Sequence, residues 1–191
     1  MRISSQPRTA GIELSERLSG SIANSTDRPG VNQEAFRVFY NRTSRPLRAY
    51  LLRMSRRVDV ADDLLQESYC RFLAASLPEM DAAQRRSYLF KIATNLLHDR
   101  WRRKEIPDNI DTAPQSCEED RETRADVRRA FDRLKPRERQ LLWLAHVEGF
   151  DHKEIARLTG IKVASVRVLL FRARGELANA LRERPRAGSG V

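Results

Sequence analysis

The stretch that most constrains the fold of this chain runs from Leu134 to Arg174. Pro136 stands where the first turn of a helix has no use for an N–H. Leu141, Leu142, Leu144 and Ala145 follow with helical spacing. This helix is predicted to end near Gly149, since glycine is the usual residue just past a helix C-terminus. Asp151 then reads as the N-cap of a second helix, with Glu154 in the capping-box position and Phe150 placed to staple the turn. The second helix, about His152 to Leu158, stops at Gly160, and a third begins near Lys162 or Val163. Ala156 is small enough for two helices to approach closely. Gly160, four residues on, suits a turn that needs positive φ, and Val166, six further, is apolar and core-facing. Ile155, Ile161 and Leu170 complete a small core. These offsets, between caps, predict a helix-turn-helix. The free face of its last helix offers Lys162, Ser165, Arg167, Arg172 and Arg174. Arginine and lysine there take phosphate oxygens or guanine edges in a major groove, although Arg172, Arg174, Arg182 and Arg184 would also serve as a plain solvated basic face.

Charge favours the first of those readings. The 191 residues carry 36 Lys and Arg against 26 Asp and Glu, a net +10, which implies a polyanionic partner, either nucleic acid or an anionic membrane surface. Hydrophobic residues at 40% suffice for real cores, and only 8 Gly and 8 Pro favour helix over sheet. Cys70 and Cys117 lie far apart without CxxC spacing, and His98, His146 and His152 stand alone. Neither a disulfide framework nor a metal site is expected. No apolar run approaches the roughly 20 residues of a spanning helix, and the N-terminus lacks the apolar core of a signal peptide, so a cytoplasmic protein is expected. No nucleophile–base pair or glycine-rich phosphate loop nominates a catalytic group, and no cofactor is implied.

The chain divides by composition. Residues 1–31 are rich in Ser, Arg, Thr, Gly and Pro, with one weak helical hint at Ile12–Leu18, and are expected to be a disordered extension. A helical block spans 32–104. Residues 105–122 hold Ile106-Pro107-Asp108-Asn109, Pro114-Gln115-Ser116 and the acidic run Glu118-Glu119-Asp120, and read as a flexible acidic linker. A second helical block fills 123–184, and 185–191 form a short tail. The expected fold is therefore all-α, with two small helical domains joined by the linker.

The first block carries two informative helices. Phe36, Phe39 and Tyr40, then Leu47, Tyr50 and Leu51 after Pro46, have helical spacing and suit a core. Asp59 is predicted to N-cap the next helix, with Asp62 at its capping-box position. On that helix Ala61, Leu64, Leu65, Ser68 and Phe72 form the inner stripe, while Asp63, Gln66, Glu67 and Cys70 share the outer face. An acidic face is often merely solvated; in so basic a chain it also suits docking on a basic protein surface. Further on, Leu89, Ile92, Ala93, Leu96 and Leu97 make an apolar stripe, with Lys91, Thr94, Asn95, His98 and Arg102 opposite. This helix ends in Asp99-Arg100-Trp101-Arg102-Arg103-Lys104. Cations interleaved with an aromatic ring and an amide suit melted DNA, where cations track phosphate and rings stack on bases. A basic helix end would also simply complement the helix dipole.

These segments resemble a known family in order. Leu134-Lys135-Pro136-Arg137-Glu138-Arg139, Val147-Glu148-Gly149-Phe150, Lys153-Glu154-Ile155-Ala156, Ser165-Val166-Arg167 and Arg172-Ala173-Arg174 resemble region 4 of the extracytoplasmic-function (ECF) RNA polymerase sigma factors. Ala61-Asp62-Asp63-Leu64-Leu65-Gln66-Glu67 resembles their region 2.2. Tyr88 to Leu96, continuing through Asp99-Arg100-Trp101-Arg102-Arg103, resembles regions 2.3 and 2.4. The match covers about Phe36 to Leu181. The resemblance implies a region 2 helical bundle and a region 4 helix-turn-helix, with core RNA polymerase and promoter DNA as partners and, often in the family, an anti-sigma factor. It assigns Asp63, Gln66 and Glu67 to the β′ clamp helices, and Lys91, Asn95, Asp99, Arg100, Arg102 and Arg103 to the minus-ten element. Lys162, Ser165, Arg167, Arg172 and Arg174 fall to the minus-thirty-five element, on a domain that also touches the β flap. In one place the chain departs from the family, which usually has Ser-Arg where Val168-Leu169 stands here.

The implied role is recruitment without covalent chemistry, two modest contacts joined by a linker binding more tightly than either alone. Two rivals are a free-standing DNA-binding regulator and a helical adaptor on a membrane surface. The Asp63–Gln66–Glu67 face and the Lys91–Arg103 segment speak against the first; liposome binding without DNA binding would favour the second.

Overall fold

The computed structural model describes residues 33–75, 78–106 and 122–183, with the side chains of 122–125 left aside. The expected N-terminal extension, the acidic run of the linker, Cys117 and the tail lie outside the described residues. Helices account for nearly all of what is described: α1 (Gln33–Ser55), α2 (Val58–Ala74), α3 (Ala82–Arg102), α4 (Glu122–Arg133), α5 (Pro136–His146), α6 (His152–Thr159) and α7 (Val163–Arg182). The chain divides into two units, Met1–Phe36 and Arg37–Val191. Of the first, only the opening turn of α1 is described; everything that follows concerns the second.

The first three helices close around an apolar core. Leu47, Tyr50, Leu51 and Met54 of α1, Ala61, Leu64 and Phe72 of α2, and Leu89, Phe90, Ala93 and Leu97 of α3 are all buried. Each large side chain so placed is worth about 1.5–3 kcal/mol. Phe39 stacks on Phe72 at 5.0 Å, and Tyr69, absent from the expected inner stripe, is buried with its hydroxyl 2.7 Å from Thr43 Oγ1. Pro46 sits inside α1, which runs through it.

The start of α2 differs from expectation. Its N-cap is Arg57, without a side-chain cap, and Asp59 lies one residue inside the helix. The cause is the sharp exit from α1: Arg56 takes φ +58, and Ser55 Oγ donates to the Arg57 carbonyl at 3.0 Å. That turn starts the helix early. Asp59 is drawn back to the Arg57 guanidinium, which holds its carboxyl below the usual range, and Asp62 is taken by Arg48 at 2.6 Å.

The helix-turn-helix matches its sequence signature closely. Asp151 and Glu154 form the reciprocal capping box at 2.7 and 3.0 Å. Gly160 caps α6 in the left-handed region at φ +72, where a side chain would be strained. Ala156 and Val166 are buried, together with Ile155, Leu158, Leu170 and Ala173. Gly149 is also left-handed, and the Phe150 N–H reaches back to the Leu144 carbonyl at 3.0 Å, closing α5 with a Schellman turn. α4 and α5 both pack on α7.

The helix-turn-helix rests directly on the first bundle. α3 packs against α2 on one side and α6 on the other, so its apolar stripe is only half of what it buries. Thr94, expected on the free side with Lys91 and His98, is fully buried. The reason is a second partner that periodicity cannot reveal. Ile106, assigned by composition to the linker, is 4% exposed, so the first residues after α3 belong to the bundle.

Candidate nucleic-acid interface

Helical spacing sets Asp63, Gln66, Glu67 and Cys70 along one exposed edge of α2. α3 runs beside that edge. Between them lies a groove of about 360 Å³ lined by these four residues together with Arg100 and Arg103. The structure thus brings the residues expected to dock on a protein next to two of those expected to hold DNA. Arg100 Nη2 stands 3.7 Å from Asp63, and Arg71 bonds Glu67 at 2.6 Å.

The C-terminal end of α3 is internally neutralised. Arg102 pairs with Asp99 at 2.7 Å. Glu105 meets Arg103 at 2.7 Å and Arg100 at 3.5 Å, while its backbone N–H returns to the Arg100 carbonyl at 3.1 Å. Asn95 is exposed. Lys91 is set apart from this cluster, donating its ammonium hydrogen to the Arg157 carbonyl of α6. Trp101 stacks on His98 at 5.3 Å.

On α7 the electrostatics are different. Lys162 is the exposed N-cap residue, and Arg167 and Arg172 are exposed on the helix. Among the described residues, none of these three has a carboxylate within salt-bridge reach. Ser165 is half-buried, its N–H bonded to the Lys162 carbonyl at 2.9 Å. Arg174 lies farther along and donates from Nε to His146 Nε2 at 3.2 Å.

Sequence reasoning missed the polar seam between α3 and α5. Gln140, buried on α5, donates from Nε2 to the Tyr50 hydroxyl at 2.7 Å, and its Oε1 accepts from His98 Nε2 at 2.9 Å. An amide oxygen only accepts, so the His98 proton sits on Nε2. The Tyr50 hydroxyl also shares a hydrogen bond with Thr94 at 3.0 Å. Burial pushes Tyr50 up to about 12 against the opposing pull of Thr94 and Gln140, and burial lowers His98. Arg86 joins the sides at a second point: it bonds Glu148 at 2.7 Å and lies 4.4 Å from the Phe150 ring centroid. Glu148 also accepts from Trp143 Nε1 at 2.9 Å. Arg53 and Asp132 make a third tie at 3.0 Å. The one available sequence signal was Glu148, an acid inside an otherwise helix-ending Val-Glu-Gly-Phe motif.

No group of His, Cys, Asp and Glu able to hold a metal occurs among the described residues. No described helix is long and apolar enough to cross a membrane.

Comparison with known proteins agrees with this geometry. Residues 39–105 match the model for Sigma-70 region 2, and residues 124–177 that for Sigma-70, region 4. The chain is 30% identical over 142 residues to the ECF RNA polymerase sigma factor EcfG of Rhodopseudomonas palustris (strain TIE-1), covering 71% of this chain and 78% of that one. It is also 30% identical over 133 residues to the ECF RNA polymerase sigma factor SigE of Mycolicibacterium smegmatis, covering 63% of this chain and 51% of that longer protein. In fold it resembles the sigma factor RpoE of Bartonella quintana, solved with the anti-sigma factor NepR, at a TM-score of 0.60, 20% identity and coverage of 78% and 98%. CnrH, solved with the cytosolic domain of CnrY, gives a TM-score of 0.57, 23% identity and coverage of 79% and 90%. The chain belongs to the ECF RNA polymerase sigma factors, which bind core RNA polymerase and direct it to promoters to begin transcription.

Proposed function

We propose that this sigma factor works without covalent chemistry, dividing recruitment among three surfaces. Asp63, Gln66 and Glu67 dock on the β′ clamp helices of core polymerase. Lys91, Asn95, Asp99, Arg100, Arg102 and Arg103 hold the minus-ten element. Lys162, Ser165, Arg167, Arg172 and Arg174 hold the minus-thirty-five element, and the domain that carries them touches the β flap. What most supports this reading is the helix-turn-helix, whose recognition helix presents Lys162 and Arg167, unpaired with any carboxylate among the described residues, at the end that enters a groove.

The compact form described here is then a resting form. Elements near minus ten and minus thirty-five are separated by about 25 base pairs, or about 85 Å at roughly 3.4 Å per step. A compact body of this length has a radius of gyration of about 16 Å and a diameter of about 40 Å. Reaching both elements requires the Gln140 seam to part, leaving the segment between α3 and α4 as the tether. A protein that held the seam shut would keep the factor off promoters. That is the role proposed for an anti-sigma partner of the kind solved with RpoE of Bartonella quintana.

The test is co-elution of the full chain with core RNA polymerase on a sizing column at moderate salt. A stoichiometric complex that starts transcription at defined promoters supports the assignment of surfaces. Absence of a complex, with specific duplex binding by the chain alone, would overturn it in favour of a free-standing regulator.

A further inference from the structure

The recognition helix carries an apolar strip that the assignment above does not use. Ala164, Val168 and Phe171 recur at the spacing of one helix face and are all exposed. Val168 is 49% exposed and Phe171 75%, with Val163 also exposed at the helix start. Isolated exposed apolar residues need no explanation, but a strip does. The core of the helix-turn-helix is complete without it, since Val166, Leu170 and Ala173 fill the inner face.

The surroundings of the strip indicate what covers it. Arg167 and Arg172 flank it and Lys162 caps the helix at its entering end, and among the described residues no carboxylate pairs with any of them. An apolar line flanked by unpaired cations complements a surface that is apolar at its floor and anionic along its walls. A DNA major groove has that form wherever thymine occurs: phosphates line the edges, and the 5-methyl of thymine is the apolar group presented by the bases. The side chains at the entering end are short, as close approach demands: Val163, Ala164 and Ser165 open the helix, with Val168 one turn later. A branched apolar end at Val168 offers no hydrogen bond to a base edge and can distinguish base pairs only through that methyl.

We propose that Val168 is a specificity-determining residue of this factor, packing on a thymine methyl in the upstream promoter element, with Phe171 extending the strip along the groove. The proposal rests on the reading that α7 enters the major groove. The loss of the usual polar Ser-Arg pair at Val168-Leu169 then marks a change in the base that is read, from hydrogen bonding to methyl contact.

The experiment uses holoenzyme reconstituted from the full chain. Promoters are first selected from a library randomised across the upstream element. In the strongest of them, each thymine of the element is replaced in turn by deoxyuridine, which removes the methyl and leaves every hydrogen-bonding group in place. At one thymine, uracil should weaken wild-type binding about fourfold, the worth of one buried methyl group. Val168→Ala should weaken binding to the thymine promoter by a similar factor and become indifferent to the uracil substitution. Val168→Thr, which keeps the shape but places a hydroxyl where a methyl was, should bind both templates weakly. The proposal is overturned if no thymine is methyl-sensitive, or if Val168→Ala keeps the wild-type sensitivity. Promoter use unaffected by Val168→Ala also overturns it. Failure of the underlying reading looks different: the library would yield no upstream preference, and Arg167→Ala would leave binding unchanged.

Discussion

The end of α3 and the face of α7 are both basic and both read as DNA-binding, yet they are in opposite electrostatic states. Arg100, Arg102 and Arg103 each have a carboxylate within reach, supplied by Asp63, Asp99 and Glu105. Lys162, Arg167 and Arg172 have none among the described residues. A free cation meets phosphate at the cost of its own hydration, and the counterions it displaces from the DNA favour the contact. A paired one must also give up a carboxylate, or carry it into the complex as a like charge facing phosphate. On the assignment proposed above, region 4 is ready for duplex DNA as it stands, whereas region 2 is held back until something competes for its acids. Core polymerase is placed to compete for one of them, because Asp63, which faces Arg100, belongs to the proposed docking face.

The largest test attacks that face. Asp63→Lys with Glu67→Lys should weaken binding to core polymerase about 100-fold or more, since like charges set opposite one another across an interface cost several kcal/mol. The side chains are exposed, so thermal unfolding should change little. Titration of labelled chain with core enzyme gives the affinity. The same variant should bind single-stranded DNA more tightly than wild type, because Arg100 loses one of its acids. Unchanged polymerase affinity removes the docking face, and unchanged DNA affinity removes the coupling.

The seam lies between the two regions and should be sensitive to alkali. Tyr50 is held at about 12 in the folded chain, against about 10 when unfolded. The folded state therefore favours the neutral phenol. Its contribution is complete below pH 10 and is lost as pH rises from 10 to 12, by about 2–3 kcal/mol. Tyr69, also pushed up to about 12, contributes within the first bundle alone. Urea unfolding at pH 9 and pH 11 should show a drop that Tyr50→Phe reduces but does not abolish. An identical drop in that variant would locate the alkaline sensitivity in Tyr69 or elsewhere.

A pair of single substitutions measures the contrast itself. Arg167→Ala should lower affinity for an upstream duplex about tenfold and reduce the salt slope by about 0.9, one phosphate contact. Arg102→Ala should lower affinity for a downstream single strand only about threefold, because Asp99 already neutralises much of that charge. Equal losses in the two variants would mean that the pairing on α3 has no bearing on DNA.

Much of this was legible in the chain, for a physical reason. The capping box at Asp151 and Glu154, the left-handed Gly160 and the spacing of Ala156 and Val166 are local rules, written within a few residues. The alternation of acidic and apolar positions on α2 is equally local. What could not be read was Thr94, buried where α3 meets a second helix and bonded to the Tyr50 hydroxyl, and the cap of α2, set by the turn at Arg56. Nor does periodicity distinguish a free arginine from a paired one. The contrast between α3 and α7 depends on where Asp63 and Glu105 fall in space.

Glu105 gives the smallest effect and the sharpest one. It follows α3 directly, its backbone N–H is tied to Arg100, and its carboxylate reaches both Arg100 and Arg103. All three side chains are substantially exposed or only half-buried, so the pairs themselves add little to stability, and Glu105→Gln should unfold at nearly the wild-type temperature. Its effect belongs to binding. Removing the carboxylate leaves two guanidinium groups facing solvent, and affinity for a single-stranded downstream element should rise about two- to threefold with a salt slope steeper by about 0.7. A fall in affinity would give the opposite meaning: Glu105 would be holding Arg100 and Arg103 in the orientation that DNA requires. The paired end of α3 would then be pre-organised rather than masked, and the difference between the regions would be one of geometry instead of charge.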